Sequence, residues 1–150
     1  VDISSSADPP AGLLSNFAAH TFVFDGEQAA SMEGFLQSLK FADPEKAVAV
    51  RSLVGRAAKW KGSRRNFAWK QARSLWWKGQ PIDRFGDDYQ RLLDGAFHAL
   101  FDQNTEARRA LLATGDANLT HARGSSDPQE SILTESEFCE RLMRIRNELR

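Results

Sequence analysis

The chain has 150 residues, 41% hydrophobic and 10% aromatic, which suits one globular domain with a core of its own. Its 20 Lys and Arg balance 20 Asp and Glu, so no global field draws it to nucleic acid or to an anionic membrane, although a local basic patch stays open. A single cysteine, Cys139, excludes an intramolecular disulfide and Cys-based zinc clusters. No apolar run reaches the roughly 18 residues of a membrane span, and the start lacks a basic then apolar leader. The expectation is a soluble, cytoplasmic protein without a membrane partner.

Residues 1–11 are rich in Ser, Asp and Pro and read as a flexible N-terminal segment, with the domain proper at 12–150. His20 to Phe24 is aromatic and β-branched, and Asp25-Gly26 is a turn signal, so a short strand or hairpin comes next. Ser31 then caps a helix with Glu33 in its first turn. Along that helix Glu33, Gln37 and Lys40 stand at i, i+4 and i+7, beside an apolar arc of Met32, Phe35, Leu36 and Leu39. Spacing alone favours an ordinary solvated face, but a polar stripe flanking a core can also line a cleft. Asp43-Pro44 opens a second helix through Val48, Val50, Val54 and Ala58, ending at Gly62. Lys59, Lys61, Arg64 and Arg65 cluster around Gly62, which suits a phosphate and equally a well-solvated loop.

Phe67 to Lys78 reads as a third helix bearing Trp69, Arg73, Trp76 and Trp77, stopped by Gly79-Gln80-Pro81. Tyr89, Leu92, Leu93, Ala96, Phe97, Leu100 and Phe101 recur at steps of three and four, the pattern of a central core helix. Thr105 caps a shorter helix through Leu111 and Leu112 that ends at Gly115, and Leu119-Thr120-His121 is extended. Arg123 to Ser131 is a polar loop with Gly and Pro. Thr134-Glu135-Ser136-Glu137 forms a capping box for a last helix whose Phe138, Leu142, Ile145 and Leu149 face the core, with Cys139 a buried small hydrophobe. The whole is mainly α with a few short strands, and it has no internal repeat.

Taken in order, Leu14-Ser15-Asn16-Phe17, Asp25-Gly26, Ser31 to Phe41, and Gly55 to Gly62 with Ala58-Lys59 inside it resemble the NADAR, or YbiA-like, family. Phe101-Asp102-Gln103-Asn104, Leu111 to Asp116 and Leu119-Thr120-His121 continue the resemblance, which spans Gly12 to Leu149. It implies a compact, single-domain, mainly helical fold that cleaves N-glycosidic bonds of ribosylated substrates. Some members remove ADP-ribose from guanine bases of nucleic acid, and others split phosphoribosylated intermediates of riboflavin synthesis. The resemblance makes Glu33 and Lys40 catalytic candidates. The chain departs from the pattern at Ala29-Ala30 and Gly34, where many members have an aromatic-Pro pair and a His. It departs again at Arg123 to Pro128, where many have Trp-Gly, and Asp127 is an acid available in that loop.

Cleaving such a bond builds positive charge on the ribosyl centre, which a carboxylate at Glu33 stabilises or relieves by activating water. Lys40 can protonate the leaving nitrogen, or its amine can attack an opened ribose. Gln37, Lys59, Gly62 and Arg64 are the candidates for binding substrate and its phosphates, since neither a Walker pattern nor Gly-x-Gly-x-x-Gly is present. Asn16 and Phe17 can hydrogen-bond and stack on a base, with a turn cap and a core ring as the plainer alternatives. Asp116 and His121 join the list, although Gly-Asp is a common turn and a lone His is usually structural. His20 and His98 lack ligand partners, so neither a metal nor a cofactor is expected. The expected partner is ADP-ribosylated nucleic acid or a ribosylated small molecule. A non-catalytic ADP-ribose binding module and a plain helical interaction domain are the competing readings.

Overall fold

The computed structural model describes residues 1–150. After a 3-10 turn at Ala11–Leu14 come β1 (Phe22–Phe24), β2 (Glu27–Ala29), α1 (Met32–Ser38), α2 (Pro44–Arg51), α3 (Gly55–Ser63) and α4 (Asn66–Ala72). There follow β3 (Ser74–Trp77), β4 (Gln80–Asp83), α5 (Asp87–Gln103), α6 (Thr105–Ala113) and α7 (Glu135–Leu149). The fold is mainly α, and its four strands form two separate antiparallel hairpins. No helix is long and apolar enough to cross a membrane.

Helix α5 is the centre of the core. Its Tyr89, Leu92, Leu93, Ala96, Phe97, Leu100 and Phe101 are all buried, as their helical spacing requires. Phe97 meets Phe138 of α7 with ring centroids 5.9 Å apart. At Gly95 an added Cβ would lie 2.5 Å from the Phe24 ring, so only glycine lets the first hairpin press onto α5. Phe35 of α1 ties both hairpins together, with centroids 5.9 Å from Phe22, 5.9 Å from Phe24 and 5.4 Å from Trp77. The first hairpin pairs Phe22 with Ala29 and turns at Asp25 and Gly26, both at positive φ, the conformation two-residue hairpin turns need.

Several local expectations change. The third helix does not run to Lys78: α4 stops at Ala72 because Arg73 adopts a left-handed conformation, φ 54°. Trp76 and Trp77 then lie on β3, which pairs with β4 around a turn at Lys78 and Gly79, again both at positive φ. Leu75 and Trp77 are buried while Ser74 and Trp76 are half-buried, a period of two that competes with the helical spacing of the tryptophans. Tertiary bonds decide the matter, since Trp76 N–H donates to the Leu39 carbonyl at 2.8 Å and the Trp77 indole donates to Asp25 Oδ2 at 2.9 Å.

The helix expected from Pro44 to Gly62 is two helices, broken at Ser52 to Val54, with Gly55 at φ 52°. The break frees the Leu53 carbonyl, which accepts from Ser31 Oγ at 3.0 Å, and so docks the α2–α3 corner on the start of α1. Thr105 is the first residue of α6 and not its cap; Asn104 precedes it and uses its amide on the Thr21 and Leu100 carbonyls, both at 2.8 Å. The N-terminal segment is not free either. Ile3 is fully buried, its N–H donates to the Thr120 carbonyl at 2.8 Å, and Asp2 bridges in parallel to Thr120. Burial of one apolar side chain and a short backbone pairing outweigh the polar composition around them.

Candidate active site

Helix α1 is short and positioned from both ends. Ser31 caps it by accepting from the Gly34 N–H at 2.9 Å, and the Glu33 N–H donates to the Asn16 carbonyl at 3.0 Å. The second bond satisfies a free first-turn donor with the loop that precedes β1. The Leu14-Ser15-Asn16-Phe17 segment and the polar stripe, distant in sequence, thereby meet. Ala30 N–H donates to the Arg51 carbonyl at 2.9 Å. At Gly34 a Cβ would stand 2.4 Å from the Leu53 carbonyl oxygen and 2.8 Å from that of Arg51, so this helix-break contact accepts no side chain there.

The stripe is buried: Glu33, Gln37 and Lys40 are 8%, 6% and 6% exposed. All three face a cleft of about 540 Å³. One wall is Ser15, Asn16 and Phe17; a second carries Arg56 and Lys59 of α3 with Asn66 and Trp69 of α4. The third comes from His121, Arg123 to Ser125 and Glu130 to Leu133, with Ser4 and Ser5 beside it. The volume is that of a nucleotide-sized ligand site.

Within the cleft, Gln37 Nε2 donates to Glu33 Oε1 at 2.8 Å, and Lys40 Nζ donates to Asn66 Oδ1 at 2.6 Å. Burial pushes the Glu33 carboxyl above the usual carboxylate range, against the Gln37 hydrogen bond and the charges of Lys59 and Lys40. Burial also lowers the Lys40 ammonium to about 8, with Glu33 opposing the shift and Lys70 and Lys59 adding to it. The two values approach each other, which suits a carboxylate base and an ammonium acid at neutral pH. His121 Nδ1 lies 2.7 Å from the Ile3 carbonyl, an acceptor only, so Nδ1 carries the proton and Nε2 is the remaining ring nitrogen. The buried Trp69 Nε1 and Gln37 Oε1 have no hydrogen-bond partner.

Of the candidates read from the sequence, Asn16, Phe17, Glu33, Gln37, Lys40, Lys59 and His121 converge on this cleft. Four others lie outside its lining. Gly62 is a packing glycine, where a Cβ would fall 1.7 Å from Gln37 Oε1. Arg64 lays its guanidinium over the Trp60 ring, 4.0 Å from its centroid. Asp116 is exposed and pairs with Arg150 at 2.8 Å. Asp127 turns its carboxylate back to the Gln129 N–H at 2.9 Å, an Asx turn that shapes the loop. Sequence reasoning missed Arg56, Asn66, Arg123 and Glu130. Asn66 stands 26 positions from the lysine it contacts, and no local periodicity signals that pairing. No three His, Cys, Asp or Glu side chains are grouped so that they could hold a metal ion.

The late loop is held from below. Arg84, fully buried, donates from Nε to the Ser131 carbonyl at 3.0 Å and through both terminal nitrogens to Glu137, at 3.1 and 2.7 Å. Tyr89 Oη donates to the Ile132 carbonyl at 2.5 Å. Lys70 of α4 meets Glu130 across the mouth at 2.9 Å.

A family model described as bacteriophage protein GP30.3 matches residues 8–147. An uncharacterized 17.1 kDa protein from the Gp30-rIII intergenic region of Enterobacteria phage T4 is 36% identical over 151 residues, covering 99% of this chain and 98% of that protein. The solved structure of the E. coli protein YbiA superimposes with a TM-score of 0.60 at 22% identity, covering 99% of this chain and 83% of that one.

Proposed function

Since the chain belongs to the bacteriophage protein GP30.3 family and has a YbiA-like fold, we propose that it is a hydrolase cleaving the N-glycosidic bond of a ribosylated base, removing ADP-ribose from guanine in nucleic acid. The observation that carries this reading is the buried pair of Glu33 and Lys40 in one cleft, each displaced toward neutral pH by burial. The resemblance of the Ser31 to Phe41 segment to NADAR proteins supplies the reaction class.

In this mechanism the base enters beside Phe17, and Asn16 offers an amide to its edge. Glu33 takes a proton from a water as that water's oxygen bonds to the anomeric carbon. The carbon–nitrogen bond breaks with its electron pair going to the base nitrogen, which is protonated by the Lys40 ammonium. Gln37 orients the carboxylate and Asn66 the ammonium, so both reacting groups are held before substrate arrives. Arg123, which also lines the cleft, supplies the positive charge that the diphosphate requires.

The test is release of ADP-ribose from an ADP-ribosylated guanine oligonucleotide, followed by chromatography, for the unaltered protein and for Glu33→Gln and Lys40→Ala. Release by the unaltered protein and a loss of about a hundredfold or more in each folded variant is expected. No release by the unaltered protein overturns this substrate. Turnover of phosphoribosylated riboflavin intermediates in its place would keep the chemistry and change the substrate.

A further inference from the structure

Half of the chain's 20 Lys and Arg residues stand between Lys46 and Ile82, with no Asp or Glu among them, although the whole molecule is neutral. Helix α3 carries the densest part. Only Ala58 and Gly62 are buried on it, four residues apart, so one narrow stripe faces α1 and the rest is open. Arg56, Lys59, Lys61 and Arg64 have no carboxylate partner. The same face presents two large rings to solvent, Trp60 at 56% exposure and Phe67, at the start of α4, at 79%. Arg56 and Lys59 line the cleft, and Trp60 and Arg64 continue the Arg56 face along the helix at steps of four. The track therefore starts at the cleft mouth and leads outward.

We propose that the outer face of α3 and the first turn of α4 dock a single strand of nucleic acid, with backbone phosphates on Arg56, Lys59, Lys61 and Arg64 and unpaired bases stacked on Trp60 and Phe67. Cations interleaved with exposed rings are what a flexible strand needs, because phosphates recur along it and every base has a face to stack. A duplex keeps its bases stacked inside and leaves the rings without partners. A lipid surface fits less well, since an interfacial helix needs a continuous apolar face and here the two rings are isolated among charges. That the strand feeds a modified base into the cleft rests on the glycosidase reading; the docking itself does not.

The experiment is fluorescence anisotropy with an unmodified, labelled oligothymidine of roughly 20 nucleotides, long enough to run the length of the track. Four phosphate contacts on a single strand predict a log–log salt slope of about −3, or about a fiftyfold loss of affinity between about 50 and 200 mM salt. Trp60→Ala and Phe67→Ala, both at exposed positions, should each weaken binding about five- to a hundredfold, and Arg64→Glu should flatten the slope. Glu33→Gln should bind as tightly as the unaltered protein. The proposal is overturned if the oligonucleotide does not bind at about 50 mM salt, or if neither ring substitution changes affinity. Equal affinity for a duplex of the same length, or capture by phosphatidylserine vesicles without the oligonucleotide, overturns it too. The probe carries no glycosidic lesion, so failure of docking and failure of the cleavage reaction are read separately.

Discussion

Lys40 has a neutral amide acceptor in Asn66 and a carboxyl charge nearby in Glu33, yet burial still brings its ammonium down from 10.5 to about 8. Between those values the unfolded chain binds more protons than the folded one, so this group makes stability rise with pH and withdraws it as pH falls through about 8. At neutral pH the cost is on the order of 3 kcal/mol. Lys40→Met is therefore expected to raise stability toward urea at pH 7 by about 1–3 kcal/mol, and to lose the rise between pH 8 and 10 that the unaltered protein shows. Glu33 has the opposite sign. Its folded value is raised, so the folded state holds the proton longer, and the stability present below the ordinary carboxyl value is lost as pH climbs through the folded one. Glu33→Gln should be more stable than the unaltered protein at pH 7, measured by thermal unfolding, and inactive. If Lys40 is the acid, kcat falls as pH passes about 8; a rise there would assign it as an amine nucleophile.

At the scale of elements, the site depends on close approaches that only glycine permits. Gly62 lets α3 lie against Gln37, whose amide holds Glu33. Gly62→Ala would push Gln37 aside, and it should cost about 1–3 kcal/mol and lower kcat while leaving the fold, a split that unfolding curves and steady-state kinetics resolve together. Arg84 works from the other side, joining α7 through Glu137 to the carbonyl that carries the Ser131 to Leu133 wall. Replacing it by Met leaves the Glu137 carboxylate half-buried without its main partner. A loss of about 3–5 kcal/mol in chemical denaturation is expected. The sequence announced neither contact, because a glycine at a helix end and an arginine after a hairpin look ordinary until their partners are known. Helix ends were more legible. Ser31 and the Thr134–Glu137 capping box occur as their residue chemistry requires, since a cap is satisfied within three positions of itself.

At the scale of the molecule, the chain's beginning and its late segment close one wall of the cleft together. Ile3 is fully buried, pairs with Thr120, and gives its carbonyl to His121. Ile3→Ala should destabilise by about 2–4 kcal/mol and raise KM more than it lowers kcat, because it loosens a wall and leaves Glu33 and Lys40 in place. Patterns that act over one or two turns could be read in advance: the α5 core face, the first hairpin, and the caps at Ser31 and Thr134. Those properties follow from side-chain volume, backbone preference and helical period, and are complete within a few residues. The tryptophans of β3, the break between α2 and α3, and the burial of Glu33 and Lys40 could not be read that way. Each hangs on atoms tens of positions away, the Leu39 carbonyl, Ser31 and Asn66, whose hydrogen bonds and exclusion of water exist only once the chain has packed.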